Sequence, residues 1–386
     1  MNILFLTTSR FSDGSAGAER EIVFGKLLRS LGYKVVFCTL ADIPFGEVRE
    51  QDGFEFVSFR KSGKSPIRRV LNYFYYKKNL KQLITRKYKD QIFDQIFVTD
   101  IPWNALEFII GYARKKKIGL VHNSVEWYSP EEFKTGRFAV NYILNNLLNT
   151  TFIRPPFKVI GISSYLTDFF LIQGIKAIRI PFIVDTKAVK YEKNCSFEKL
   201  VLLYAGNAGR KDNLKEIIEG ILLLSPQEID RVEFRVFGVS HDTLINICNV
   251  DRVVLEKSKN FLKVFGSVPR NIVLSHLQEA HFTLLLRSEV QRYAKAGFPT
   301  KVTESLASGT PVITNLTSDL GLYLNDGVEG FIVPSCNSEA FAKTIRKALL
   351  LTKTELSTMQ SAARKCAETK LDYRLFSTEM RSFLLN

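Results

Sequence analysis

The stretch KAGFPTKVTESLASGTPVITN, residues 295–315, decides the fold, because it reads as a loop, a short helix and a buried strand in succession. Pro299 suits the first helical position, where its missing N–H group leaves no hydrogen bond unmade. Gly309 suits the end of that helix, and the apolar run 311–314 predicts the strand. This order of elements favours an α/β protein.

The start of this helix is a candidate anion site. Around residues 298–302, the N–H groups of Phe298, Thr300 and the residues after it have no partner within the helix, and Lys301 adds a positive charge in the first turn. Such a helix N-terminus attracts phosphate. Glu304 follows on the same face, where its carboxylate suits hydrogen bonds from sugar hydroxyls. The sequence therefore predicts one helix end that holds a diphosphate and a ribose.

The composition is that of a large protein with two cores. With 386 residues, 46% of them hydrophobic, the chain is too long for one ordinary core. Its five cysteines have no metal-ligand spacing, and we expect reduced thiols in a cytosolic protein. The sequence lacks an apolar run of about 18 residues and a signal peptide at its start, so we expect no membrane span.

Short apolar runs alternate with helical patterns, which predicts βαβ units and a parallel sheet in each half. The predicted strands are 3–6, 34–39, 54–59, 95–98, 119–122, 159–162, 200–204, 233–237, 264–265, 282–286, 312–314 and 330–333. The polar stretch 184–199 predicts the hinge between two Rossmann-like domains, residues 1–185 and 186–368. Residues 369–386 are predicted to form a terminal helix.

A second candidate phosphate loop follows the first predicted strand. Residues 7–17 end at Gly17, directly before a predicted helix. Glycine permits a close approach of a ligand, and the helix start offers N–H groups to a phosphate. A structural turn without a ligand is the alternative interpretation.

A third loop, LLYAGNAGR at residues 202–210, repeats this order of strand, glycine and helix start around Gly206. Arg210 can bind phosphate oxygens in a bidentate manner, and Lys211 can neutralise a leaving diphosphate. The alternative interpretation is that Arg210 and Lys211 are solvated charges on the surface.

Polar residues also follow strands of the first half. GLVHNSVEW, residues 119–127, places His122 and Glu126 at a strand end, where parallel sheets bind ligands. Glu126 suits an acceptor sugar, because carboxylates bind hydroxyl groups and the adjacent Trp127 and Tyr128 can stack on sugar rings. A buried core histidine and a capping glutamate remain alternatives, and Asp100 is either an acceptor-site or a turn residue.

Much of the net charge of +15 lies in residues 60–89, which contain Lys and Arg but no acid. Tyr73, Phe74, Tyr75 and Tyr76 lie among these cations. Basic groups attract an anionic leaflet while aromatic rings enter its interface, so we expect binding to an anionic membrane surface. A solvated basic helix is the second reading, and nucleic acid, which we do not expect as a partner, is the third.

Residues 295–315 resemble the signature of retaining glycosyltransferases with the GT-B fold, specifically family 4, which includes many bacterial capsule, O-antigen and teichoic-acid enzymes. The string T-E-S-L-A-S-G-T-P-V-I places Glu304 on the second glutamate of the family's Glu, seven residues, Glu pattern, which binds the donor ribose. The position of the family's first glutamate is occupied by Ala296 in this sequence. Variants of the form R-Y-x-x-A-G-F-P-T-K occur among polysaccharide-biosynthesis glycosyltransferases.

The resemblance extends along most of the chain. The string G-A-E-R, followed by L-G-Y-K-V, is similar to the family opening and implies that Gly17 lies over the donor phosphates. The segment 266–269 resembles the family's G-x-V-P, which implies that the main chain at Gly266 and Val268 holds the nucleotide base. His122 matches a strand-end histidine beside the donor sugar. Asn207 stands at the family's loop arginine, which leaves Arg210 and Lys211 for the phosphate.

The resemblance implies two Rossmann-like domains that face a central cleft, with the terminal helix crossing back onto the first domain. The implied activity is transfer of a sugar from a nucleoside-diphosphate donor to a glycan or lipid-linked acceptor, with retention of configuration, in cell-surface polysaccharide or glycoconjugate synthesis. We expect a metal-independent enzyme without cofactors, since the sequence has no D-x-D motif and no cluster with metal-ligand spacing. We also expect it at the inner face of the membrane.

The expected catalytic groups are Lys301 with Arg210 or Lys211, which neutralise the leaving diphosphate. Glu126 is the candidate for the missing carboxylate. Because Ala296 replaces the family's first glutamate, a non-catalytic partner subunit is an alternative function. A Rossmann oxidoreductase or epimerase is disfavoured, because no G-x-G-x-x-G precedes an acidic residue by about 20 positions.

Overall fold

The computed structural model describes residues 1–11, 16–41, 43–59 and 75–385. The chain forms two compact units. The first comprises Met1–Tyr128, Arg137–Ile183 and Tyr373–Asn386, and the second comprises Ser129–Gly136 and Val184–Asp372. The predicted domain boundaries lie within a few residues of these divisions, except that the prediction placed residues 129–136 in the first domain.

The first unit is built on a sheet of eight strands in its described part. The strands are β1 (Asn2–Thr7), β2 (Lys34–Thr39), β3 (Val48–Gln51), β4 (Phe54–Ser58), β5 (Gln95–Thr99), β6 (Gly119–Ser124), β7 (Phe157–Gly161) and β8 (Ala177–Arg179). Their order is β3-β4-β2-β1-β5-β6-β7-β8, and only β3 and β4 are antiparallel. All six predicted strands are present. The prediction missed β3, which has the polar sequence VREQ, and β8, which has three residues.

Helices cover both faces of this sheet. They are α1 (Ala16–Ser30), α2 (residues 75–82), α3 (Trp103–Lys116), α4 (Val140–Leu147), α5 (Ser164–Ile172) and the terminal helix Ser377–Leu385. Met380, Phe383 and Leu384 of the terminal helix are buried in the same apolar cluster as Ile22 of α1. The terminal helix therefore packs on the first unit, as predicted.

Alternation along each strand gives the sheet two apolar faces. Phe5 of β1 packs against Phe37 and Phe97 on one face, with ring centroids 5.1 and 5.5 Å apart. Its neighbours Leu4 and Leu6 belong to the cluster on the other face. Near-continuous apolar runs, typical of buried parallel strands, made these strands easy to predict.

The predicted membrane segment 60–89 is described only in part. Residues 60–74 lie outside the described residues. In α2, Tyr76 and Leu80 are buried, whereas Tyr75 is 49% exposed. The π-helical turn Leu83–Lys87 follows. Tyr76 therefore packs inward against Phe59, with the two rings tilted and their centroids 4.3 Å apart.

The second unit contains a six-stranded parallel sheet in the order β11-β10-β9-β12-β13-β14. The strands are β9 (Leu200–Ala205), β10 (Val232–Phe237), β11 (Leu262–Gly266), β12 (Phe282–Leu285), β13 (Val312–Thr314) and β14 (Gly330–Ile332). All six were predicted. Most are short, mainly apolar runs, whereas β10 alternates apolar with charged residues, and both patterns indicate strands.

The helices of the second unit are α6 (Leu214–Leu222), α7 (Pro226–Ile229), α8 (His241–Asn246), α9 (Arg252–Lys257), α10 (Arg270–Glu279), α11 (Arg292–Ala296), α12 (Thr300–Ala307), α13 (Ser338–Leu349) and α14 (Lys353–Cys366). Pro299 is the N-cap of α12 rather than its first helical residue, because its backbone is extended. Gly309, with a φ of +69°, ends this segment as predicted. Across the described parts of both units, no helix is long and apolar enough to cross a membrane.

Candidate functional site

Glycines allow very close packing at the carboxyl edge of the second sheet. The Gly206 N–H group, after β9, donates a hydrogen bond to the Phe237 carbonyl oxygen at 3.1 Å. A Cβ atom on Gly238, which follows β10 with a φ of +78°, would lie 2.6 Å from the Gly206 oxygen. Gly238 therefore has to be glycine. Gly206 and Gly266 were predicted from the sequence, whereas Gly238 was not.

A buried cluster of charged groups lies at this edge. Asp212 forms ion pairs with Lys301 and with Arg287, whose Nε atom lies 2.8 Å from Asp212 Oδ1. The Tyr204 hydroxyl donates to Asp212 Oδ2 at 2.7 Å. Asp212 is 3% exposed. Two cations share one carboxylate, so the cluster carries a net positive charge.

The electrostatics of this cluster are set by its ion pairs. Burial alone would raise the pKa of Asp212, but Lys301 and Arg287 hold it well below its usual range. Burial lowers the pKa of Lys301, and the charge of Asp212 opposes that shift. Asp212 therefore stays ionised near neutral pH, which keeps the cluster charged.

Lys301 crosses directly over the end of β9. A Cβ atom on Gly206 would lie 2.3 Å from Lys301 Cε, and Lys301 Nζ donates to the Tyr204 hydroxyl at 2.8 Å. The ammonium group also lies 4.3 Å from the centroid of the Tyr204 ring. These contacts fix the lysine of the predicted phosphate site at the first turn of α12.

Asp212, Arg287 and Tyr204 are candidate site residues that were not predicted from the sequence. Asp212 lies 75 residues from Arg287 and 89 from Lys301 along the chain, so no local motif links them. The available signal was an aspartate directly after the predicted Arg210 and Lys211.

Glu304, the predicted ribose ligand, pairs with an arginine. Glu304 Oε1 lies 2.9 Å from Arg270 Nη1, and the Glu304 side chain is 27% exposed. Arg270 begins α10, one residue after the predicted base-binding segment 266–269. Glu304, Arg270 and Lys301 line a small cavity of about 50 Å³. The structure thus places the predicted ribose ligand and Lys301 of the predicted phosphate site on one cavity, beside the residue that follows the predicted base-binding segment.

The other predicted residues of this unit take varied positions. Phe298 is buried with its ring edge-on to Tyr323, whereas Thr300 is half-buried at the start of α12. Val268 is half-buried, and Ala296 is fully buried in α11. Arg210 is exposed, and Lys211 Nζ lies 3.9 Å from Glu132 Oε2.

A second set of buried charged groups lies at the carboxyl edge of the first sheet. Arg20 and Glu21, in the first turns of α1, are 4% and 1% exposed. Arg20 Nη2 donates to Asn123 Oδ1 at 2.9 Å, and the Thr7 hydroxyl donates to Glu21 Oε1 at 3.3 Å. Arg20 Nε, Arg20 Nη1 and Glu21 Oε2 find no hydrogen-bond partner among residues 1–11, 16–41, 43–59 and 75–385.

Two acids at this edge have raised pKa values. Burial raises the pKa of Glu21 to about 7, although Arg20 opposes the shift. Burial and the charge of Glu126 raise the pKa of Asp100 to about 7. Asp100 also has a left-handed φ of +51°, which is uncommon for a residue with a side chain.

His122 faces the core of the first unit. It is 2% exposed, its ring is edge-on to Phe170, and burial lowers its pKa to about 4. The ring is therefore neutral at pH 7. This placement matches the alternative reading of a core histidine. Asn123, the next residue on β6, points instead to Arg20.

Glu126 and Gly17 are more accessible than His122. Glu126 is half-buried, and its carbonyl oxygen accepts a hydrogen bond from Asn145 Nδ2 at 3.2 Å. Trp127 is buried and donates to Asn146 Oδ1 at 3.0 Å, so its ring serves the fold. Gly17 is exposed in the first turn of α1, and residues 12–15 of its loop lie outside the described residues. Within the described residues, no three His, Cys, Asp or Glu side chains come together as a possible metal site.

Comparisons with known proteins agree with this architecture. The family model for glycosyl transferases group 1 matches residues 188–365, which lie within the second unit. No curated protein matches the sequence. The fold is similar to that of sucrose-phosphate synthase from Thermosynechococcus elongatus, with a TM-score of 0.75, 13% identity, and 99% of this chain and 98% of that chain covered.

Two further structures share this fold. HepE from Anabaena, solved with UDP, has a TM-score of 0.68 and 16% identity, with 100% of both chains covered. WaaG, a glycosyltransferase involved in lipopolysaccharide biosynthesis, has a TM-score of 0.65 and 15% identity, with 99% of both chains covered. The predicted α/β class with two Rossmann-like, GT-B domains is confirmed. With the group 1 match, these findings support a GT-B glycosyltransferase.

Proposed function

We propose that this protein is a glycosyltransferase that moves a sugar from a nucleoside-diphosphate donor to a glycan or lipid-linked acceptor. The observation that carries the proposal is the positive cluster of Lys301, Asp212 and Arg287, which lies inside the stretch matched by the group 1 family. A preorganised positive cluster beside a helix N-terminus suits a diphosphate. HepE, which shares the fold, has been solved with UDP and with UDP-glucose.

In this proposal each part of the site has a separate task. Lys301 and Arg287 stabilise the charge that develops on the leaving diphosphate, together with N–H groups of the first turn of α12. Arg210 and Lys211 add charge from the loop after β9. Glu304 accepts hydrogen bonds from the ribose, and the main chain at residues 266–268 holds the base.

We further propose that the configuration at the anomeric carbon is retained. Ala296 supplies no carboxylate for a covalent intermediate. The acceptor oxygen instead attacks from the face that the diphosphate leaves, and its proton passes to a phosphate oxygen of the leaving group. Because Lys301 and Arg287 supply positive charge at the phosphate, this chemistry proceeds without a metal ion. Glu126 keeps its predicted role at the acceptor as part of this proposal, whereas the buried side chain of His122 packs against Phe170 and takes no part in it.

The proposed setting is the inner face of a membrane, in the synthesis of a cell-surface polysaccharide or glycoconjugate. Two observations support it: the positive charge of residues 60–89, which contain no acid, and the shared fold of WaaG, a glycosyltransferase involved in lipopolysaccharide biosynthesis. Anionic lipids attract such basic segments.

Ala296 also favours a second candidate function. Because this residue stands where the family has a glutamate, the protein could instead be proposed as a non-catalytic partner subunit. One experiment separates the two: incubate the protein with a panel of nucleotide sugars and a membrane lipid extract, and analyse the products by mass spectrometry. The enzyme proposal expects one donor to yield a product one sugar heavier. If a nucleoside diphosphate binds in calorimetry and no donor yields a product, the protein is the non-catalytic subunit.

A further inference from the structure

The first unit contains a cavity of about 390 Å³, which the proposed donor site does not use. Its lining is largely apolar and includes Leu40, Tyr76, Ile101, Trp103, Leu144 and Leu148. Polar groups, among them Arg10, Asp100 and Asn145, also reach the cavity. An apolar chamber with a few polar groups suits an amphipathic ligand.

Helix α4 forms a wall of this cavity and is apolar on its other side as well. Leu144 lines the cavity, whereas Val140, Ile143 and Leu147 follow helical spacing on the outer face and are 67%, 40% and 36% exposed. Phe138, just before the helix, is 85% exposed. A surface helix of a water-soluble protein normally buries its single apolar stripe. Four exposed apolar side chains within ten residues therefore indicate a contact surface.

Cations surround the same region. Arg10 lines the cavity and is exposed, and Arg137 is exposed beside Phe138. Helix α2, whose Tyr76 lines the cavity, exposes Lys77 and Lys78. Lys77 forms an exposed ion pair with Glu107 at 3.7 Å, which is worth little in water. Exposed apolar side chains with basic neighbours are the combination that binds an anionic bilayer.

We propose that this cavity holds the hydrocarbon chain of a membrane lipid, taken from an anionic bilayer in which the outer face of α4 rests. The apolar lining encloses the chain, and Asp100, Asn145 and Arg10 contact its polar end. The inference deepens the proposed function, on which it rests in one respect: the lipid would be the carrier part of the acceptor. It names a substrate class that neither the family match nor the fold specifies.

Chain length is the first test. Butyl, octyl and dodecyl β-glucosides, below their micelle concentrations, are titrated while tryptophan fluorescence is recorded. Because Trp103 lines the cavity, its emission should shift to shorter wavelength on binding. Affinity should rise about threefold to fourfold per methylene until the cavity is full. The shift should vanish in Trp103→Phe, which leaves only the buried Trp127. An affinity independent of chain length, or an unchanged shift in Trp103→Phe, would overturn the proposal.

Neighbouring positions on α4 give a matched pair of variants. Leu144→Gln alters the cavity wall and should weaken dodecyl glucoside binding tenfold or more while sparing sedimentation with phosphatidylglycerol vesicles. Ile143→Gln alters the outer face and should reduce sedimentation while sparing the glucoside. Both should melt near the wild-type temperature. If Leu144→Gln binds the glucoside normally, the cavity does not hold the chain; if Ile143→Gln sediments normally, α4 does not lie in the bilayer.

Calorimetry with UDP and a transfer assay on the same preparations separate this inference from the proposed function. Chain-length-dependent binding without sugar transfer contradicts only the enzyme. Sugar transfer to a soluble glycan, without any chain-length dependence of glucoside binding, contradicts only the lipid cavity.

Discussion

The carboxyl edges of the two sheets both bury charged groups, but they pair them differently. In the second unit, Asp212 is bound by Lys301, Arg287 and the Tyr204 hydroxyl. In the first unit, Arg20 and Glu21 are as deeply buried, yet the described residues offer no partner to Arg20 Nε, Arg20 Nη1 or Glu21 Oε2. Among the described residues, one edge provides partners for its buried charged groups, whereas the other edge leaves three buried polar atoms without a hydrogen-bond partner.

The pKa values follow the same division. Asp212 is held ionised in spite of its burial, whereas burial raises the pKa of Glu21 and of Asp100 to about 7. A completed positive cluster is rigid and suits a ligand of fixed charge. Buried groups without partners invite a ligand or water that supplies the missing hydrogen bonds. In the proposed function, the diphosphate therefore binds to the second unit and polar groups of the acceptor bind to the first.

The largest effect should come from breaking the completed cluster. Asp212→Ala leaves Lys301 and Arg287 buried without their shared carboxylate, and should lower the free energy of unfolding by about 3–5 kcal/mol. Urea denaturation measures this loss. The exposed Asp230 provides the control, since Asp230→Ala should change stability by no more than about 0.5 kcal/mol. Equal losses in the two variants would contradict the pairing.

Stability against pH should distinguish the two edges. The pKa of Glu21 is about 7 in the folded protein, above its ordinary 4.5, so the folded state binds the proton more tightly. The free energy of unfolding should then fall as the pH rises from about 4.5 to about 7. The pKa of Asp212 is shifted in the opposite direction. The stability that its ionised carboxylate contributes is therefore lost only in acid.

The Glu21→Gln variant has no ionisable side chain at this position. The decrease in its free energy of unfolding between about pH 4.5 and 7 should therefore be smaller than that of the wild type by roughly 3 kcal/mol. Urea midpoints of the wild type and the variant, measured across that range, test this expectation. Parallel curves for the two proteins would show that Glu21 does not titrate near neutral pH.

Catalysis should depend on Lys301 more than on lysines outside the cluster. Lys301→Ala removes a preorganised positive charge and should lower turnover about 100-fold, as measured with saturating donor. Lys347, which is 57% exposed in an ion pair with Asp326, is the matched control. Lys347→Ala should retain wild-type turnover. Full activity in Lys301→Ala would exclude the cluster from the mechanism.

The smallest effect concerns the ribose. Glu304→Ala should weaken nucleoside-diphosphate binding by about 1–3 kcal/mol, because the hydroxyl groups lose a charged acceptor. Arg270→Ala removes the ion-pair partner of Glu304 but keeps the Glu304 carboxylate. The Arg270→Ala variant should therefore bind the nucleoside diphosphate more tightly than the Glu304→Ala variant does. Calorimetry compares the two. Identical affinities would mean that the ion pair matters only for structure.

Regular elements were predictable because their signals are local. The apolar runs of β2 and β13 gave the observed bounds, whereas β3 was missed because the sequence VREQ has no apolar alternation. Lys301, Glu304 and Gly206 were identified as candidates from their positions in loop and helix patterns, and the structure places Lys301 against Gly206 and on one cavity with Glu304.

Residues that act through distant partners were not predictable from the sequence. Asp212 acquires its role from side chains 75 and 89 residues away, and Gly238 from the approach of a neighbouring strand end. His122 was assigned by its position at a strand end, but the sequence did not reveal that its side chain faces Phe170.

The central claim is that the completed cluster of the second unit holds a diphosphate. Calorimetry of the wild type with UDP, GDP, ADP and dTDP, each beside its nucleoside, tests it most directly. At least one diphosphate should bind about 100-fold more tightly than its nucleoside, because each charge-assisted hydrogen bond contributes roughly 1.5–3 kcal/mol. Lys301→Ala should reduce that ratio about tenfold or more. Equal affinities for diphosphate and nucleoside in every pair, or a ratio unchanged in Lys301→Ala, would contradict the account.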